Sequence, residues 1–505
     1  MSPMKRIATL ATLGFAALAA AMPGYAQTLR IGLAEDPDIL DPTMARTFVG
    51  RIVFAGLCDK LFDLDEMLNI VPQLAVGYQW SADNKTLTIK IRSGVTFHDG
   101  EKLDAEAVKF NLDRHKTMQG SNRRGELAPV TSVDVLDAST VRLNLSGPFA
   151  PLLAVLTDRA GMMVSPKAAK AAGDKFGANP VCSGPFKFVE RVAQDRIVLE
   201  RYPNYWNKAQ IHFAKIVYLP IVDSTVRLAN LKSGQLDFIE RAAPSDWPAI
   251  QKDRRFKTSK IVEIGYQGID FNVGKSDFAA KSPVRDPRVR EAFELTLDRK
   301  AIVEVVMEEE ARAGNQWVAP SNPWYAKNMP IPKRDVARAK ALLKEAGIPN
   351  PTFTLVTTTT SDAQRLAQVV QSMAKDAGFE VKIQATEFAT SLNMADKGEY
   401  EAYVLAWSGR ADPDGNLYNF LVCKQPTNYA GYCKPEVDEL INKSRVTLDA
   451  AERRKLFERI AAHVLKDRPI VYLYHRHWLW AYNTKLSGLR TVPDGMVRLQ
   501  GLKMN

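Results

Sequence analysis

The residues best suited to chemistry stand together in one short segment, Ala406-Trp407-Ser408-Gly409-Arg410-Ala411-Asp412-Pro413-Asp414-Gly415-Asn416. Arginine presents a planar fork of N–H donors and no acceptor. Arg410 therefore suits a carboxylate or a phosphate and repels an ammonium group. An internal pair with Asp412 or Asp414 is the other use such a cation can have. Trp407 offers a flat wall for stacking, with Ser408 beside it as a small polar group. The segment follows the apolar run Tyr403-Val404-Leu405, so it leaves a strand end, where open α/β sheets hold ligands. Catalytic signatures are missing from the sequence: there is no HExxH, G-x-S-x-G, Walker A or Gly-rich dinucleotide fingerprint. His475 and His477 share one face of a predicted strand, but without nearby acids or thiols they read as packing or solvated residues, not metal ligands. The chemistry on offer is recognition without metal or cofactor, and the chain reads as no enzyme.

The elements that must position this segment can be read from local patterns. Leu87, Ile89 and Ile91 alternate with polar residues as a half-buried strand does, and Asp104 can cap a helix carrying Ala105, Val108 and Leu112 on one face. Thr28 to Leu33 forms a short apolar strand, and Phe186 to Tyr205 reads as two more. Asp335 caps a helix stopped by Gly347; Phe353 to Val356 is a strand; Ser361 caps a helix stopped by Gly378; Val381 to Ile383 is the next strand. That strand-helix-strand order predicts parallel pairing. Pro469 to Tyr474 is a further apolar strand.

The N-terminus carries Lys5 and Arg6, then the apolar run Ile7 to Met22, then Gly24-Tyr25-Ala26. This is the order of a cleavable signal peptide, cut after Ala26. The run is short for a membrane span, which needs about 20 residues. No Cys stands at the cut, which argues against a lipid anchor and for a soluble periplasmic protein. The formal net charge is +11, but the Lys and Arg residues are scattered and no nucleic-acid motif accompanies them. Four cysteines, Cys58, Cys182, Cys423 and Cys433, allow three disulfide connectivities in an exported chain. Cys423 and Cys433 suit a locally closed loop, leaving Cys58 and Cys182 as a long-range pair; zinc is disfavoured by the lack of CxxC spacing.

Longer blocks carry a family likeness. Trp80-Ser81-Ala82-Asp83 with Thr86-Leu87-Thr88-Ile89, Gly94-Val95-Thr96-Phe97-His98-Asp99-Gly100, Asn179-Pro180-Val181-Cys182-Ser183-Gly184-Pro185-Phe186 and Asp286-Pro287-Arg288-Val289-Arg290 follow one another in order. Together they resemble the large extracytoplasmic solute-binding proteins of peptide, nickel and related ABC importers, family 5. The resemblance implies a two-lobed α/β periplasmic binding protein, type II-like and large, with an extra subdomain inserted in the first lobe. It divides the chain into a signal peptide at 1–26, a first lobe at 27–270 with the insertion at about 60–185, a second lobe at 271–482, and a return of 483–505 to the first lobe. It implies a monomer that captures a small solute between its lobes and delivers it to the membrane subunits and ATPases of an ABC permease. A sensory receptor without a transport role fits the same resemblance.

Two departures from the family bear on the ligand. In peptide-binding members an acid follows the glycine of the Trp-x-Gly motif and pairs with the ligand's α-amino group; here that position is Arg410. The Arg that holds the carboxylate in dipeptide-binding relatives is replaced by the run Thr357 to Thr360. Arg46 and Thr47 fall where the family's first lobe meets ligand, and Cys182 stands where the family has glycine, which fits an added bond to Cys58. Trp317, within the family's loop between the lobes, and Tyr266 are further aromatic candidates for the cleft. The expected ligand is a small anionic, peptide-like or organic acid held by Arg410 and Arg46, with ordinary di- or oligopeptides as the alternative.

Overall fold

One strand, Ile470–Asn483, runs through both halves of the molecule. The computed structural model describes residues 27–505, so the signal peptide expected at 1–26 lies outside the described residues. The second half of the long strand pairs antiparallel with Phe256–Val262 and Phe238–Ile239, in register Val262 to His477. Its first half pairs with Tyr266–Phe271 and Ala311–Ala313, with Gln267 opposite Tyr474. The sheet therefore changes lobe between Val262 and Tyr266 on the way out and between Tyr474 and His477 on the way back. Both changes come before the expected divisions at 270/271 and 482/483. The return strand is also longer than the apolar run Pro469 to Tyr474, because ladder pairing carries it through His475, Arg476 and His477.

In the first lobe, Thr28–Leu33 pairs parallel with Lys215–Pro220 and with Phe238–Ile239. Its core joins Leu29 and Ile31 to Phe54 and Leu57 of the helix Phe48–Leu57, and to Val497 and Leu499 from the C-terminal segment. The inserted block has a separate core around an antiparallel sheet ordered Ala75–Trp80, Thr86–Ile91, Thr140–Leu145, Val130–Asp137. Helix Ala105–Thr117 covers it, with Asp104 accepting from the Ala107 amide and Val108 and Leu112 buried. Cys58, at the end of helix Phe48–Leu57, is bonded to Cys182, and Cys423 to Cys433.

The second lobe orders its strands Glu380–Thr386, Thr352–Thr358, Ala402–Trp407, Tyr266–Phe271. The first two pair parallel across helix Ser361–Lys375, as the strand-helix-strand pattern predicts. Thr360, not Ser361, takes the capping position of that helix, and its side chain makes no capping bond. Among the described residues no helix is long and apolar enough to cross a membrane.

Strand Tyr266–Phe271 buries Asp270, one of whose carboxyl oxygens accepts from the Tyr400 hydroxyl at 2.5 Å while the other has no partner. Burial pushes its pKa up to about 8, against the opposing effect of that hydrogen bond. The folded state thus keeps a proton that the unfolded chain loses in the ordinary carboxylate range. The associated stability is complete below that range and is lost at about 1.4 kcal/mol per pH unit as pH rises toward 8. Asp270→Asn is expected to flatten the fall in stability between pH 5 and 8 by the contribution of one proton, read from urea unfolding at several pH values. Glu263 and Asp59, each raised to about 7 by burial, leave a residual slope of the same sign. An unchanged slope would show that Asp270 does not hold the proton.

Candidate functional site

Between the lobes lies a cavity with about 1440 Å³ of open space, part of it continuous with solvent. Helix Phe48–Leu57 points its N-terminus at this space, placing Arg46, Thr47 and Phe48 on the wall. Thr47 has a structural task as well: its hydroxyl donates to Asp38 at 2.8 Å and accepts from the Gly50 amide. Apolar walls come from Phe48, stacked on Trp478 with ring centroids 4.4 Å apart, and from Leu366, Phe388 and Tyr403 of the second lobe. Such walls surrounding a few polar groups are the usual form of a small-molecule cleft.

The segment 406–416 is fixed to the crossover between the lobes. Asn416 accepts from the Trp407 indole and the Arg410 amide, each at 2.9 Å, and donates to the carbonyls of Ile264 and Trp317, each at 3.0 Å. Gly409 has φ +79°, and a Cβ there would come within 2.3 Å of the Ile264 carbonyl carbon, so only glycine fits. Trp407 and Ser408 consequently face the cavity, where Ser408 accepts from Arg51 at 3.2 Å.

Arg410 is placed differently from the sequence expectation. Its guanidinium lies over the Trp407 ring, 4.5 Å from the centroid, and its Nε meets Asp158 of the first lobe at 2.8 Å. It lines a small recess behind Trp407, not the large cavity. Its partner is neither Asp412 nor Asp414, which pair with Arg453 and Arg445. Arg46 does reach the cavity wall, but it is tied to Asp396 of the second lobe at 2.6 Å. Tyr266 and Trp317 are fully buried and do not line the cavity; Tyr266 packs edge-on against Tyr472 in the second-lobe core. Both sit on segments whose main chain supports the site, and this support consumes their rings.

Among the cationic groups that line the cavity are Arg123 and Arg159, neither of which stands out in the sequence. Both donate to the Ala45 carbonyl, at 3.3 and 2.7 Å, so their guanidiniums lie side by side. Behind them Asp158 receives Arg51 at 2.9 Å and Arg410 at 2.8 Å, while Arg159 Nε remains 3.6 Å from it. Arg123 pairs with Glu126 at 2.6 Å. Four guanidiniums thus share two carboxylates, and Nε of Arg51, Arg123 and Arg159 has no hydrogen-bond partner. Burial, and next to it Arg123, holds the Arg159 pKa well below the ordinary value. Burial alone would raise Asp158, but Arg410 and Arg51 keep it well below the carboxylate range. The one sequence signal was the charged pair Asp158-Arg159 set inside the apolar stretch Leu152 to Val164.

The same cavity is also lined by Glu263, Gln267, Asp362 and Arg476. His475 is buried against the Gly265 carbonyl and His477 against Glu310, and burial lowers His475 to about 4. Among the described residues no group of three or more His, Cys, Asp or Glu side chains is arranged to hold a metal ion.

Known proteins share this architecture. Over 96% of both chains this protein is 28% identical to the glutathione-binding protein GsiB of Salmonella paratyphi A. The binding protein AgaA of A. tumefaciens R10, solved with agropinic acid, superposes with TM-score 0.86 at 26% identity, covering 95% of this chain and 99% of that one. The fold is also that of DppA from Helicobacter pylori, solved with the peptide STSA, at TM-score 0.87 and 24% identity over 95% of this chain and 98% of that one. The profile described as bacterial extracellular solute-binding proteins, family 5 Middle, matches residues 69–428. With a cleft between two lobes and that match over most of its length, the chain belongs to the bacterial extracellular solute-binding proteins of family 5.

Proposed function

We propose that the protein is the periplasmic receptor of an ABC importer and that its cargo is a small, peptide-like acid whose carboxylate sits between Arg123 and Arg159. The observation that carries this reading is the buried excess of guanidinium over carboxylate at the cavity wall. Buried charge without a partner is costly, and a carboxylate entering between two forked donors would both neutralise it and fill their free N–H positions. Arg410 contributes from behind by binding Asp158, which removes that acid from competition with the cargo. Arg46 and Asp396 act as a latch across the cleft mouth, since they belong to opposite lobes. The signal-peptide pattern supports export, the chain is read as a monomer, and no covalent step is assigned to the site.

The similarity to a glutathione-binding protein and to a receptor solved with agropinic acid supplies the probes. In titration calorimetry glutathione and agropinic acid are expected to bind, and blocking the glycine carboxylate of glutathione as its ethyl ester is expected to weaken it about 100-fold. An ester that binds as tightly as the free acid would falsify the carboxylate assignment.

A further inference from the structure

Apart from Arg123 and Arg159, the cavity lining holds two unmatched valences of opposite kind. Glu263 is 2% exposed, and one of its oxygens accepts from the Arg476 amide at 2.9 Å and from Gln267 at 3.1 Å. Its other oxygen has no hydrogen-bond partner, although Glu263 lines the cavity. Arg476 Nε, 3.9 Å from that oxygen, is also without a partner, while its terminal nitrogens reach Gln267 at 2.6 Å and Asp362 at 3.5 Å. Asp362, in the first turn of helix Ser361–Lys375, brings a second carboxylate to the same wall. Nearby Arg241 is committed to Glu240 at 2.9 Å and Glu35 at 3.1 Å.

An unfilled acceptor beside an unfilled donor is the complement of a group that carries both. We propose that Glu263, Asp362 and Arg476 bind an amino-acid head group, the ammonium between the two carboxylates and the adjacent carboxylate on Arg476. This deepens and rests on the carboxylate reading above: the cargo would be an amino-acid head, held here, joined to a second acid held between Arg123 and Arg159. Burial raises Glu263 to about 7, with Arg476 opposing, so an arriving ammonium favours the charged carboxylate.

The test compares glutathione with its N-acetyl derivative on the wild-type protein, and both on Asp362→Asn and Glu263→Gln, by titration calorimetry. Acetylation, which removes the ammonium, is expected to weaken binding about 100-fold. Asp362→Asn is expected to weaken glutathione at least about 10-fold and the acetylated form less than about threefold. Because Glu263 lies on the crossover, its variant is judged only if its thermal melting matches the wild type, and Asp362→Asn decides otherwise. Equal binding of the acetylated and free forms, with the ester still weakened, overturns the head-group site and leaves the carboxylate reading standing. Binding of agropinic acid but not glutathione has the same meaning. An ester as tight as the acid, or no binding by either probe, overturns both.

Discussion

Replacing Arg159 by methionine is expected to weaken glutathione binding about 100-fold while leaving the fold as stable as the wild type, or more so. The two effects have one origin. Arg159 is 1% exposed and its side chain has one hydrogen-bonded partner, the Ala45 carbonyl, which Arg123 also serves. Its guanidinium lies among those of Arg51, Arg123 and Arg410, so a neutral chain of similar length relieves repulsion and needs no desolvated charge. The same change removes a buried charge from the cargo's carboxylate, for which losses of roughly 2–5 kcal/mol are typical. Calorimetry and thermal melting on one preparation read both. Arg159→Lys keeps the charge but not the fork and is expected to fall between. A methionine variant that binds normally would place the anion elsewhere; one that binds poorly because it melts much earlier would make Arg159 a structural residue.

Removing Cys58–Cys182 is expected to destabilise the protein more than removing Cys423–Cys433. The first bond joins residues 124 apart and the second residues 10 apart. Loop-closure entropy of the unfolded chain then gives about 5 kcal/mol for the long link and about 3 kcal/mol for the short one. The long link also ties the end of helix Phe48–Leu57, whose other end carries Thr47 at the cavity, to the last residues of the inserted block. Paired Cys→Ala variants compared by urea unfolding test the order. Equal losses, or a larger loss from the short loop, would show that native contacts outweigh chain entropy here.

Most local structure was legible because its causes are local. Asp104 and Asp335 cap the helices assigned to them, and the alternation of Leu87, Ile89 and Ile91 is that of a strand with one buried face. The long strand Ile470–Asn483 was half seen, since polar residues 475–477 break its apolar pattern while strands of both lobes supply its hydrogen bonds. The site was legible only in part for the same reason. Trp407 and Ser408 face the cavity from the segment singled out in the sequence, but the partner of Arg410 lies in another lobe. Arg123 sits in the polar stretch Ser121-Asn122-Arg123-Arg124-Gly125, which reads as a solvated turn until tertiary contacts bury it to 3%. Tyr266 and Trp317 show the converse: proximity to the site in sequence does not decide which way a ring points.

The long shared strand has a mechanical consequence. Its two changeovers lie side by side, and Glu263 and Arg476 hydrogen-bond to each other in both directions across them, the Glu263 amide donating to the Arg476 carbonyl and the Arg476 amide to the Glu263 carboxylate. Crossovers linked in this way are expected to bend together, so that opening follows a single angular coordinate. A fluorophore pair placed across the mouth, one near Arg46 and the other near Asp396, would convert cargo concentration directly into a distance signal.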